Sequence, residues 1–294
     1  MMESINGKAK LGGLIYTVFL IFYVIFSLLI RLILNAINVG TDVFYVLYPV
    51  FSAGVFCAAV IFCDKKFSLK PDLKGFAPLN LIYIAVIAAG MFFGFGIVND
   101  VFTKAIESLG GVVARTDITV DATWKYIAYS VTLCALPALY EEMFFRGTLL
   151  KCFPKENVIS AIFVTALCFA LYHLSVAQFV YQFIYGVVLA TLTVYAKSVI
   201  PAIITHFINN FAIITLEFFA VDMDFYNAFF IGCGAFCFAI FTVLIFIGII
   251  SAFTKNKKGK KREKGNGAAG FFIPFGIMGI VAAVLIIALS VIPA

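Results

Sequence analysis

The chain has 294 residues, of which 64% are hydrophobic and only 12% charged, and its mean hydropathy is +1.10. These values exclude an ordinary soluble globular domain, in which about 25% of the residues are charged. The net charge of +6 comes largely from lysines between apolar runs, so it indicates membrane topology and gives no support for nucleic-acid binding. The sequence therefore predicts an all-α fold, a polytopic integral membrane helical bundle of about eight or nine transmembrane helices.

Nine apolar runs are long enough to cross a hydrocarbon core about 30 Å thick as helices. In chain order they lie near residues 14–37, 44–63, 81–98, 124–150, 157–174, 176–195, 200–220, 227–253 and 271–292. The first run follows Lys8 and Lys10 and contains no small-residue cleavage site, so we expect a signal anchor rather than a removed signal peptide.

Basic residues are concentrated in alternate loops between these runs. They are Lys65, Lys66, Lys70, Lys74, Lys151, Lys155, Lys197 and the seven in TKNKKGKKREKGNG. Basic loops remain in the cytosol, so we expect a cytosolic N-terminus and, with an odd number of helices, an extracytosolic C-terminus. The short hydrophilic termini and compact loops favour a bacterial plasma membrane.

The fourth run contains the stretch ALYEEMFFRGTLL, residues 138–150. An ionisable residue in a membrane helix costs at least a few kcal/mol, so it marks a site or a tightly paired structural contact. Glu142 and Arg146 are four residues apart and can neutralise each other on one helical face. Glu141 points about 100° away, which leaves one carboxylate available as a general base or acid. The alternative is that both glutamates pair with the arginine and solvent at a helix end.

Pro137 lies four residues before Glu141, in the same run. A proline in a helix frees a backbone carbonyl and can kink the helix. We therefore expect the chain to open space next to the glutamates.

The chain has two histidines, and both lie in predicted membrane helices. His173 ends the segment CFALYH, and His206 begins HFINN, in which Asn210 is four residues on and shares its helical face. A lone intramembrane histidine is usually a packing residue, but two histidines in helices near a glutamate pair favour a common site. A glutamate and a histidine can deprotonate a water, and a histidine and an asparagine can donate to an oxyanion, where one donor is typically worth about 3 kcal/mol.

Other intramembrane chemistries lack their signatures here. The sequence has no HExxH zinc helix and no serine in a GxSG turn, and Asp100 follows GFGIVN rather than completing GxGD. A transporter that uses Glu141 and the histidines as a proton relay would usually show repeated halves, and none is found. A hydrolytic site built from glutamate, histidine and asparagine remains.

The segments EEMFFR, FALYH and HFINN, in this order, resemble the motifs EExxxR, FxxxH and HxxxN of the CPBP family. This family includes the type II CaaX prenyl endopeptidases and bacteriocin-processing or immunity proteins, and the resemblance covers about residues 124–216. It implies an integral-membrane endopeptidase with a water-filled cavity enclosed by helices.

The resemblance also implies roles for single residues. Glu141 and His173 would activate water, and His206 with Asn210 would form the oxyanion hole, although Asn209 lies near the same face. Glu142 paired to Arg146 would form a structural ion pair.

The depth of these residues is uneven if every run is a straight span. At about 1.5 Å per residue, Glu141 and His206 would lie about 10 to 15 Å deep and His173 about 25 Å deep. The fifth helix must then begin in the cytosol or be tilted.

No cofactor is favoured, because asparagine is a poor zinc ligand but a good oxyanion donor. A zinc held by Glu141, His173 and His206 is the competing interpretation. The expected partners are membrane lipid and a membrane-associated or lipidated peptide, with no nucleic acid, and the sequence does not determine the oligomeric state. A non-proteolytic scaffold or immunity protein of the same family is the alternative function.

These inferences divide the chain into five parts. They are three N-terminal transmembrane helices and an extracytosolic loop at 1–123, a catalytic core at 124–220, an eighth helix at 221–253, a basic cytosolic linker at 254–270 and a C-terminal transmembrane helix at 271–294. The linker is expected to contact anionic lipid headgroups. The seven cysteines lack CxxC spacing, so we expect small buried hydrophobes and no disulfide framework.

Overall fold

The computed structural model describes residues 2–75, 80–111, 113, 118–153 and 158–220, and every regular element within them is a helix. The elements are α1 (Met2–Ala36), α2 (Thr41–Phe67), α3 (Asn80–Ser108), α4 (Thr123–Tyr129), a π-helical segment (Ser130–Ala135), α5 (Leu136–Phe145), a 3₁₀ turn (Leu149–Cys152), α6 (Val158–Tyr172), α7 (Val176–Ala196) and α8 (Ile200–Phe218). The all-α fold class is confirmed. The predicted runs 227–253 and 271–292 and the basic linker 254–270 lie outside the described residues.

Four of the described helices are long and apolar enough to cross a membrane. They are Gly7–Ala36, Thr41–Phe67, Val176–Ala196 and Ile200–Phe218. Large apolar side chains such as Phe22, Leu32 and Phe62 are exposed on the outer faces of α1 and α2, as expected where lipid replaces water. These helices support an integral membrane protein, and the count of eight or nine spans stays a prediction.

The predicted single helix over 124–150 is divided into α4, the π-helical segment and α5. Pro137 explains the position of the break, because it has no N–H to donate to the Leu133 carbonyl. A π-helical turn shifts the hydrogen bonds by one residue and accommodates such a defect. The Leu133 carbonyl instead accepts a hydrogen bond from Asn210 Nδ2 of α8 at 3.3 Å. The proline therefore creates a polar contact between the glutamate helix and α8.

Within the described residues, the fifth predicted run, 157–174, forms a shorter helix than a membrane span requires. Helix α6 has 15 residues, which is about 22 Å at 1.5 Å per residue, whereas a span needs about 20 residues. Leu174 adopts a left-handed conformation with φ of 50°, which ends the helix and allows α7 to begin at Val176. His173 thus lies in the tight turn of an α6–α7 hairpin.

The hairpin is closely packed at Gly186. A Cβ added there would lie 2.9 Å from Ala166 Cα, so only glycine permits this approach of α7 to α6. Helix α5 packs against α2 and α8, and α3 packs against α7 and α8. The core between α1, α2, α5 and α6 is aromatic, with Phe19, Phe56, Phe144, Phe145, Phe169 and Tyr172 in mutual ring contact.

The loop after α2, which contains Asp72 and Lys74, contacts two other parts of the bundle. Val199 N–H donates to Asp72 O at 2.9 Å, Ser198 Oγ donates to Lys74 O at 2.6 Å, and Lys151 Nζ lies 2.8 Å from Asp72 Oδ2. The loop therefore joins the end of α5 to the start of α8, which are the two elements that hold the glutamates and His206.

Candidate active site

Glu142 lies at the centre of a buried polar cluster. Its Oε1 accepts from Arg146 Nη1 at 2.9 Å and lies 3.0 Å from His206 Nδ1. The three residues are 0%, 1% and 3% exposed, respectively. Arg146 also donates from Nη2 to Gly186 O at 3.2 Å, and its guanidinium lies 4.3 Å from the centre of the Phe169 ring. Glu142 therefore contacts a histidine as well as the arginine expected from the helical spacing.

Glu141 lies on the adjacent face of α5 and has a different environment. It is 5% exposed, and its Oε1 accepts from Tyr172 OH at 3.3 Å. Its Oε2 is buried and has no hydrogen-bond partner among the described residues. Glu142 Oε2 is also buried without a partner, but Glu142 is paired with Arg146, whereas Glu141 has no ion pair among the described residues. Glu141 is thus the carboxylate that is left over for a water or a substrate.

His173 is half-buried at the tip of α6. Its Nδ1 lies 2.8 Å from Phe169 O. A carbonyl can only accept, so Nδ1 bears the proton and Nε2 of the neutral ring has the lone pair. The ring contacts Tyr172, with centroids 4.9 Å apart, and Tyr172 in turn donates to Glu141. This tautomer suits a group that accepts a proton from water.

His206 and His173 contact the same aromatic ring. The Phe169 centroid lies 4.7 Å from that of His173 and 6.0 Å from that of His206. Because both rings contact one phenylalanine, the two histidines lie closer together than the largest difference in depth expected for straight spans. His206 Nδ1 faces the Glu142 carboxylate, so a ring protonated on both nitrogens would present Nε2–H as a donor.

Asn209 and Asn210 of α8 are linked in one chain of hydrogen bonds. Tyr181 OH donates to Asn209 Oδ1 at 2.5 Å, and Asn209 Nδ2 donates to Asn210 Oδ1 at 3.3 Å. Asn210 Nδ2 then donates to Leu133 O. An amide nitrogen has two hydrogens, so each asparagine keeps one further donor for an oxyanion.

Sequence reasoning missed three tyrosines and a glutamine at this site. Tyr172 contacts Glu141, Tyr181 contacts Asn209, and the ring of Tyr185 lies 5.6 Å from that of His206. Tyr185 OH and Gln182 Oε1 are buried with no hydrogen-bond partner in the part of the chain that the structure describes. The segment YQFIY, residues 181–185, could have indicated Tyr181, Gln182 and Tyr185, because it places polar atoms at helical spacing in an otherwise apolar run.

A zinc site built from Glu141, His173 and His206 is not assembled in this arrangement. Within the described ranges no group of three or more His, Cys, Asp or Glu side chains could hold a metal ion. The Nδ1 atoms of both histidines face protein acceptors, and Oε1 of Glu141 faces Tyr172, so Nε2 of each ring and Oε2 of Glu141 are the atoms left for a ligand.

Comparison with known protein families identifies part of the chain. Residues 123–212 match a family described as type II CAAX prenyl endopeptidase Rce1-like, and this range contains every predicted site residue from Glu141 to Asn210. No curated protein and no solved structure matches the chain. The resemblance to the CPBP family is thereby confirmed for residues 123–212, which match an Rce1-like domain of the type II CAAX prenyl endopeptidases.

Proposed function

We propose that the protein is an intramembrane endopeptidase that hydrolyses a peptide bond of a membrane-associated or lipidated peptide or protein. The observation that supports this best is Glu141, a buried carboxylate with an unpartnered Oε2 and, among the described residues, no ion pair, in a protein whose matched domain is of a protease family. A buried carboxylate oxygen without a partner is costly unless a water or a substrate satisfies it.

The proposed reaction uses Glu141 and His173 to activate a water. One O–H bond of the water breaks, its proton passes to Glu141, and the oxygen bonds to the peptide carbonyl carbon while the carbonyl π pair moves to oxygen. His173 Nε2 holds the water through its lone pair. The C–N bond then breaks, and Glu141 returns the proton to the leaving nitrogen, which gives a carboxylic acid and an amine.

His206 and Asn210 would bind the oxyanion that forms. His206, held by Glu142 through Nδ1, donates from Nε2, and Asn210 donates from the amide hydrogen that does not face Leu133. Preorganised donors of this kind stabilise charge that develops in the transition state. Glu142 and Arg146 act as the structural ion pair, and Glu142 also orients His206.

We infer that the N-terminus is cytosolic and the C-terminus extracytosolic, in a bacterial plasma membrane. The basic loops support this orientation. The substrate would then reach Glu141 from within or beside the bilayer, which is why a membrane peptide is proposed.

Cleavage of quenched fluorescent peptides, free and lipidated, by the purified protein in detergent tests this proposal. We expect Glu141→Ala and His173→Ala to lower kcat by roughly 100-fold or more, the usual contribution of a general acid–base group. Glu107 is exposed, so Glu107→Ala is the matched control and should retain activity. A folded wild type that cleaves no substrate would instead favour the scaffold or immunity function.

Two additions to the same assay test the finer assignments. Asn210→Ala should lower kcat by about 100-fold, and Asn209→Ala should do so to a smaller extent, if Asn210 is the direct oxyanion donor. A zinc chelator should leave the rate unchanged. Loss of activity that zinc restores would contradict the glutamate-activated water mechanism and favour the zinc-dependent version.

A further inference from the structure

A chain of hydroxyl groups extends from Glu141 into the N-terminal helices. Tyr172 OH donates to Glu141 Oε1 at 3.3 Å and lies 3.3 Å from Tyr23 OH. Tyr23 OH lies 3.2 Å from Tyr48 OH, and Tyr48 OH donates to Ser27 Oγ at 3.0 Å. Four hydroxyls from α6, α1 and α2 thus connect one carboxylate oxygen to the outer part of the bundle.

The inner part of this chain is buried and packed by rings. Tyr172 is 6% and Tyr23 is 7% exposed, whereas Tyr48 and Ser27 are half-buried. The rings of Tyr23 and Tyr172 lie 4.9 Å apart, and Phe56 contacts both, at 5.8 and 5.2 Å. The aromatic packing therefore fixes the positions of the hydroxyl oxygens.

Each hydroxyl can donate to one neighbour and accept from another. Tyr172 OH is oriented as the donor to both Glu141 Oε1 and Tyr23 OH, and its single proton can serve only one of these acceptors at a time. Tyr48 donates to Ser27, so Tyr23 is the donor in its contact with Tyr48. Because a buried hydroxyl without a partner is costly, the neighbouring hydroxyls hold one another in place. They hold Oε1 of Glu141 and leave Oε2 as the free oxygen.

We propose that Tyr172, held through Tyr23 and Tyr48, is a positioning residue that fixes the Glu141 carboxyl with Oε2 directed at the reacting water. Helices α1 and α2, which lie outside residues 123–212, then belong to the catalytic machinery. The catalytic consequence rests on the proposed function, whereas the positioning contact does not.

Tyrosine-to-phenylalanine substitutions test the catalytic consequence. Tyr172→Phe should lower kcat by about 10- to 100-fold with KM changed by less than about twofold, because a misplaced catalytic group slows the chemical step. Tyr23→Phe should give a smaller loss of kcat in the same direction. Tyr16→Phe is the matched control: Tyr16 is fully buried in α1, and it donates to Cys168 O at 3.0 Å, away from the hydroxyl chain. It should stay within about twofold of the wild type.

Infrared spectroscopy detects the hydrogen bond between Tyr172 and Glu141 without the need for substrate turnover. The band of the Glu141 carboxyl group is identified as the difference between the wild type and Glu141→Ala. Tyr172→Phe should shift this band, and Tyr16→Phe should leave it in place, since Tyr172 is the described residue that hydrogen-bonds the carboxyl group and Tyr16 bonds Cys168 instead.

The two measurements separate the two hypotheses. An unshifted band, or kinetics of Tyr172→Phe equal to those of Tyr16→Phe in an active enzyme, would overturn the inference and leave the proposed function intact. A wild type that cleaves no peptide while the band shifts would refute the proposed function and support the positioning contact.

Discussion

The ion pair between Glu142 and Arg146 is completely buried, with both side chains 0% exposed. We expect Arg146→Met to lower the free energy of unfolding by about 3 to 5 kcal/mol, because removing one partner leaves the Glu142 charge uncompensated in the interior. Denaturation of the purified protein in detergent measures this change.

An exposed ion pair provides the control for this prediction. Lys151 and Asp72 lie 2.8 Å apart, but their side chains are 30% and 52% exposed. Lys151→Met should change the free energy of unfolding by no more than about 1 kcal/mol, since solvent screens such pairs. Equal losses for the two variants would show that burial does not determine the contribution of Arg146.

At the residue scale, local spacing could be predicted and distant contacts could not. Glu142 and Arg146 are four residues apart, so helical geometry alone places them on one face. The contact of Glu142 with His206 spans 64 residues, and that of Glu141 with Tyr172 spans 31. Such contacts depend on how three helices pack, which no short motif specifies. Tyr172 was therefore missed although it directly precedes His173.

Gly186 determines how closely two helices of the site approach each other. We expect Gly186→Ala to destabilise the protein by about 1 to 3 kcal/mol, because the new methyl group would overlap Ala166 and force α6 and α7 apart. The Arg146 contact to the Gly186 carbonyl would be displaced as well, so thermal stability and peptide cleavage should both fall.

Gly54 in α2 offers the same substitution without the steric cost. A Cβ there would meet nothing within 4 Å. Gly54→Ala should be neutral or stabilising by up to about 1 kcal/mol, since alanine has the higher helix propensity. If both variants had the same thermal stability, the close approach of α6 and α7 at Gly186 would not explain the loss expected for Gly186→Ala.

At the element scale, helices bounded by clear end signals were predicted well. The runs 176–195 and 200–220 correspond to α7 (Val176–Ala196) and α8 (Ile200–Phe218), because Lys197 ends one and Pro201 begins the other. The run 124–150 was predicted as a single helix, and hydropathy gives no indication of the π-helical segment before Pro137. Hydropathy also extended the fifth run over His173, beyond the end of α6.

At the scale of the whole molecule, composition indicates a membrane protein but does not show which helices contribute to the active site. A mean hydropathy of +1.10 indicates membrane spans, and helices satisfy the hydrogen bonds of the backbone N–H and C=O groups in lipid. The motifs identified only the core, about residues 124–216, and the family match covers residues 123–212. The contribution of α1 and α2 to the site arises from aromatic packing around Tyr23 and Phe56, which has no sequence signature of its own.

The orientation of the whole bundle can be tested by labelling from one side of the membrane. Lys66, near the end of α2, and Leu109, just after α3, are both exposed, and Leu109 is 87% exposed. Charge bias predicts that Lys66 faces the cytosol, so Leu109 should face outward. In intact cells a membrane-impermeant maleimide should label Leu109→Cys, whereas Lys66→Cys should react only after permeabilisation. The unsubstituted chain gives the background from its own cysteines, and the reverse pattern would invert the topology and place the loop that contains Asp72 outside the cell.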